Sequence, residues 1–160
     1  MIDILKSLVG LKLEDIVLAG YFDPDDPAEF APMLSRVYLI IGERMLQLAL
    51  DETTTIALLV RFVETIEVTI EMEEGLTWCR SSMGDFLLKA PQAENVISKI
   101  IVYFDNEGDR EKFRALEFVL SSGQLLFFDP LFIDGINFGG QEQKDDCLNH
   151  IENYTAKIIS

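Results

Sequence analysis

Short apolar runs broken by turn residues constrain this chain more than any other feature. Arg36 to Ile41 and Met45 to Leu50 stand either side of Gly42, Glu43 and Arg44, and a glycine opening so short a connection suits the tight turn of an antiparallel hairpin. Phe113 to Leu120 and Gln124 to Phe128 are joined by Ser121, Ser122 and Gly123 as a second hairpin. Further strand-length runs lie at Ile16 to Phe22, Ile56 to Val63 and Val96 to Phe104, the second of them equally compatible with a helix. From Thr65 to Glu73 the alternation is clean: Ile66, Val68, Ile70 and Met72 fall on one side, and Thr65, Glu67, Thr69, Glu71 and Glu73 on the other. That pattern implies a strand buried on one face and acidic on the other.

Helical spacing is confined to the two ends and one short turn. Ile2, Leu5, Leu8 and Val9 share a stripe before Gly10, and Cys147, Leu148 and Ile151 recur at loose helical spacing in and after the polar stretch Gln141 to His150. Ser82 with Asp85 forms a capping-box pattern before Phe86, Leu87 and Leu88, and Pro91 ends whatever turn follows. At least six strands at short intervals with few helices between them predict a mainly β fold of antiparallel sheets, a sandwich or an open barrel, with short N-terminal and C-terminal helices. Spacing does not choose between sandwich and barrel. No linker or low-complexity tract divides the 160 residues, so residues 1–160 read as one globular domain.

Charge narrows the function. Acids outnumber bases 28 to 13, for a net charge of −15, yet 49% of the chain is hydrophobic, which is ample for a core. The bases are scattered or alternate with acids, as in Arg110, Lys112 and Arg114 beside Asp109 and Glu111. Nucleic acid is therefore an unsuitable partner, and the same field repels anionic membranes. The longest uncharged stretch, Phe118 to Phe128, is eleven residues, well short of the roughly 20 needed to span a bilayer. Met1, Ile2 and Asp3 begin no signal-peptide pattern, so cytoplasmic residence is expected.

The stretch Leu125 to Gly140, LLFFDPLFIDGINFGG, is the densest in special residues. Asp129 with Pro130 is expected to stop the strand of the second hairpin, because proline cannot donate to a ladder. Asp134 with Gly135 reads as a turn, Ile136 to Phe138 as a last strand, and Gly139 with Gly140 as the release toward the terminal helix. The glycine spacing matches neither a dinucleotide fingerprint nor a P-loop. The dipeptide-plus-proline FDP recurs at Phe22 to Pro24 and Phe128 to Pro130, but its flanks differ and no period sustains a repeat.

Other chemistry is thin. Asp23, Asp25, Asp26 and Glu29 crowd a loop, but Pro27, Ala28 and Leu34 stand where a calcium loop needs ligand, glycine and acid. Cys147 and His150 would share a helical face, yet no oxyanion hole accompanies them. One histidine and two distant cysteines, Cys79 and Cys147, are too few for a typical zinc site. Trp78 reads as a core anchor. No metal, cofactor or catalytic residue is expected, and the balance leans away from an enzyme.

Two functional readings follow. The first is a non-catalytic interaction module whose acidic row, Glu67, Glu71 and Glu73, meets a basic partner protein. In general character such domains look like immunity proteins and other inhibitors that cover a basic cleft, although no motif assigns this chain to such a family. The alternative is a small-molecule-binding β domain with a pocket lined by Phe127, Phe132 and Phe138, oriented by Asp129. Homo-oligomerisation stays open in both.

Overall fold

The computed structural model describes residues 1–24, 28–51, 57–66, 75–89, 95–105, 112–132, 135–151 and 153–160. Ten strands lie within them: β1 Leu13–Asp23, β2 Glu29–Ile41, β3 Arg44–Leu50, β4 Leu58–Val63, β5 Thr77–Ser82, β6 Ile97–Asp105, β7 Ala115–Leu120, β8 Leu125–Phe132, β9 Gly135–Gly139 and β10 Tyr154–Ile159. The helices are α1 Ile2–Lys6, α2 Gly84–Leu87 and α3 Gln141–His150. The strands form two five-stranded sheets, ordered β4-β3-β2-β1-β5 and β10-β6-β7-β8-β9, and every pairing is antiparallel. Each sheet is a four-strand meander whose fifth strand returns to lie beside the first.

The alternation of the sequence sets the layers. Val37, Leu39 and Ile41 of β2 and Leu46 and Leu48 of β3 point to one side of the first sheet, and Ile100, Val102, Leu116, Phe118, Leu126 and Phe128 to the facing side of the second. Together with Leu5 and Leu8 from the N-terminal segment they form the main core, so the sheets stack as a sandwich. Its rim is stitched: Leu58 on β4 donates its N–H to the carbonyl of Phe113 at 2.7 Å, and Gly10, Leu11 and Leu13 exchange backbone bonds of 2.8–2.9 Å with Asn95 and Ile97.

Both expected hairpins form. Ile41 pairs with Arg44, leaving Gly42 and Glu43 as a two-residue loop, and Gly42 adopts φ +59° while no non-glycine among the described residues has positive φ. That is the type II′ arrangement, with glycine first. Between β7 and β8 the Gly123 N–H donates to Leu120 O at 2.9 Å and the Leu120 N–H to Gln124 O at 2.9 Å, which closes the Ser121–Ser122–Gly123 loop.

Several boundaries differ from expectation. Asp129 and Pro130 do not stop β8, which continues to Phe132; its ladder with β9 shifts register between Asp129 and Phe132, and that irregularity absorbs the missing N–H of Pro130. Ser82 does not cap α2, because its Oγ donates to Asp15 at 2.9 Å and the helix has no side-chain cap of its own. The N-terminal helix ends at Lys6, short of Val9. Trp78 is half-buried and packs with Val17, Ala19 and Tyr38 on the outer face of the first sheet, away from the main core. The two copies of FDP fall on β1 and β8, the first strand of one sheet and the third of the other meander, so they are not equivalent positions. The C-terminal helix forms as expected, and a further strand, β10, follows it.

Candidate functional site

The aromatic stretch is divided between two faces by its own pleat. Phe128 points into the main core, edge-on to Phe118 with centroids 5.9 Å apart and stacked on Phe138 at the same distance. Phe127, one residue earlier, points the opposite way, beneath α3, where its ring meets Tyr103 at 5.6 Å. Phe127 and Phe138, which the pocket reading places on one lining, thus lie on opposite sides of the second sheet. Phe132 closes β8 opposite Gly135.

Asp129 shares the α3 side with Phe127 and belongs to a buried polar array. Gln143 of α3 donates its side-chain N–H to Asp129 Oδ2, and Asn137 Nδ2 donates to Gln143 Oε1 at 2.8 Å. Next to them Glu117 Oε2 accepts the Tyr103 hydroxyl proton at 2.6 Å and pairs with Lys144 Nζ at 2.9 Å. Burial, aided by the hydrogen bond to Glu117, raises the Tyr103 phenol far above its ordinary range. These groups satisfy one another, and their effect is to dock α3 on the sheet.

The same helix disposes of the Cys147 and His150 pairing. Cys147 is buried against Tyr103, Ala115 and Phe127, and burial, reinforced by the Asp129 carboxylate, pushes its thiol up to about 12. It is held protonated at neutral pH, the reverse of an activated nucleophile. His150 is exposed, with Nδ1 2.7 Å from the Asp146 carbonyl. Among the described residues no group of three or more His, Cys, Asp or Glu could hold a metal ion.

A site that the sequence did not announce lies around α2. Phe86 is 80% exposed, the most exposed large hydrophobic side chain among the described residues. Its short helix is pinned on both flanks. Asp15 Oδ1, on β1, accepts the Gly84 N–H at 2.8 Å and the Ser82 hydroxyl at 2.9 Å, and Met83 N donates to Ile16 O at 2.7 Å. On the other flank Gln124 of the β7–β8 turn donates Nε2 to Leu87 O at 2.5 Å and accepts the Lys89 N–H at 2.8 Å. Beside the ring runs an open groove lined by Leu87, Lys89, Gly123, Leu125 and Gly140. The signal available in sequence was Asp15, a carboxylate at the head of an apolar run, and Gln124 beside a turn; Asp15 also accepts the neighbouring Ile16 N–H at 2.8 Å, and which distant backbone each side chain serves is a matter of topology.

Glu67, Glu71 and Glu73 lie outside the described residues; β4 ends at Val63, and Ile66 packs on the outer-face cluster of the first sheet. Among the described residues no helix is long and apolar enough to cross a membrane. Compared with known protein families, curated proteins and solved structures, the chain matches none.

Proposed function

We propose that this chain is a non-catalytic interaction module that binds a basic protein partner, in the manner of an inhibitor or immunity protein, with Phe86 as its apolar anchor. The observation that carries the reading is an aromatic ring 80% exposed on a segment clamped by hydrogen bonds from Asp15 and Gln124. A rigid exposed aromatic loses little entropy when a partner covers it, which is the property of an interface hot spot. The net charge of −15 supplies long-range attraction for a positively charged protein, and Glu67, Glu71 and Glu73 are the acidic row assigned to that steering. Cytoplasmic residence, with Cys79 and Cys147 both free thiols, belongs to the same proposal.

The test starts from capture of partners out of the native extract by the immobilised chain, followed by association kinetics with the captured protein. Phe86→Ala is expected to weaken binding about tenfold or more, mainly through faster dissociation. Replacing Glu67, Glu71 and Glu73 together by Gln is expected to slow association and flatten its dependence on salt. A partner whose rates ignore salt and both sets of substitutions would refute the proposal.

A further inference from the structure

We infer that β10 is a self-pairing edge, through which two copies of this chain join their second sheets about a two-fold axis at Ala156. β10 bonds to β6 on one side and, among the described residues, terminates the sheet on the other. Of the other three edges, β9 packs against β2 and α3, β4 is bridged through Leu58 to Phe113 and touches α1, and β5 mixes exposed with half-buried residues over Thr77–Ser82. By contrast five of the six residues of β10 are exposed, with Tyr154 at 40% and Ile158 at 62%. The strand, YTAKII, has no proline, no glycine and no acid, and its ladder with β6 runs without a register shift. Within the strand itself the one device that protects an edge is Lys157.

The register follows from elimination. Tyr154, Ala156 and Ile158 pair with Asp105, Tyr103 and Ile101 and so lie on the outer face with Tyr103, while Thr155, Lys157 and Ile159 lie on the inner one. Opposed residues of an antiparallel ladder share a face, so a two-fold axis normal to the sheet must pass through a residue position. Lys157 on the axis would oppose two ammonium groups. Thr155 on the axis would leave Ile158 without a partner strand. Ala156 on the axis sets Tyr154 against Ile158 of the second copy, twice, an aromatic facing a β-branched side chain on the outer face. α3 lies on this same outer face, chiefly over β8 and β9, and reaches Tyr103 of β6 through Cys147.

Charge complements the choice. Each copy carries −15, so two copies repel at long range, and β10 is a stretch where they can meet with no carboxylate in the contact. Salt screens the repulsion and leaves the ladder intact. The dimer therefore tightens as salt is added, the opposite of the response expected for a basic partner, and the two associations are separable by that sign alone. A contact of one strand pair is small, which places it among weak, concentration-dependent interfaces.

Two measurements on the full chain test this. In sedimentation equilibrium the mass is expected to rise from 18.1 kDa toward twice that value with protein concentration, more so in added NaCl, and Ile158→Lys is expected to shift the association constant at least tenfold toward monomer. In a Cys79→Ser background, Ala156→Cys is expected to form a disulfide-linked dimer on mild oxidation, since residues on the axis face each other within disulfide reach. Tyr154→Cys and Ile158→Cys are expected to cross-link when mixed and not alone. A mass of 18.1 kDa at every concentration and salt, or cross-linking of Ala156→Cys no faster than that of an exposed Ser122→Cys control, would overturn the inference; circular dichroism of each variant confirms that it is folded, and Ile158→Lys provides the reading should Ala156→Cys misfold.

Discussion

At Gly135 a side chain is forbidden twice. Its φ of +137° belongs to glycine, and a Cβ there would collide with the backbone carbonyl of Leu34, in the part of β2 between Pro32 and Val37 that bulges out of its ladder. The sequence reading puts a turn at Asp134 with Gly135; Asp134 lies outside the described residues, and Gly135 opens β9 with a positive φ, while the second demand for glycine comes from Leu34, on a strand far earlier in the chain. Gly135→Ala is expected to lower stability by about 3 kcal/mol in urea unfolding, because backbone has to move to accept the methyl group. Cys147 and Tyr103 fix the alkaline limit at the same scale. Unfolded, they ionise near 9.0 and 10.0, whereas folded, Cys147 holds its proton to about 12 and Tyr103 is raised further still, both chiefly by burial. The unfolded state then binds fewer protons than the native one, so stability, intact below pH 9, falls as pH rises from about 9 toward about 12. Melting temperature measured across that range is expected to decline, and Cys147→Ala is expected to make the decline shallower.

Among the elements, helix α3 is held by specific bonds more than by an apolar stripe: of its ten residues only Cys147 is buried. Lys144→Met would leave Glu117, whose side chain is 3% exposed, with the Tyr103 hydroxyl but without the ammonium that pairs with it. Removing one partner of a buried ion pair costs about 3 kcal/mol, and hydrogen exchange is expected to accelerate first along Gln141–His150. Elements with a burial rhythm were legible in sequence. β2, β3, β6 and β7 alternate or run apolar because one or both faces are covered, and Gly42 and Gly123 mark turns that only glycine makes easily. β10 was missed because an exposed edge strand has no buried face to write into its sequence, and β5 because Thr77–Ser82 is polar or half-buried throughout. Pro130 misled for a related reason: a proline ends a regular ladder, but an irregular one can be built around it. The Phe86 site was illegible because exposure and clamping are both products of distant contacts.

For the molecule as a whole, charge and topology act together. A compact chain carrying −15 repels itself, so thermal stability is expected to rise when NaCl is added from low ionic strength, and a scanning-fluorimetry series checks this. The two sheets share the order of a meander closed by its returning fifth strand, and each return is long: β5 joins β1 and β10 joins β6 only after three other strands have intervened. During synthesis the first sheet is complete in sequence by Ser82, yet Val37, Leu39, Leu46 and Leu48, with only Leu5 and Leu8 of the N-terminal segment to share their face, gain its opposite layer when β6, β7 and β8 emerge. Non-local closure of this kind makes folding slow, in the millisecond-to-second range typical of β sandwiches. A nascent chain halted between the sheets would present most of an apolar face to the cell, which makes the second sheet, in effect, the chaperone of the first.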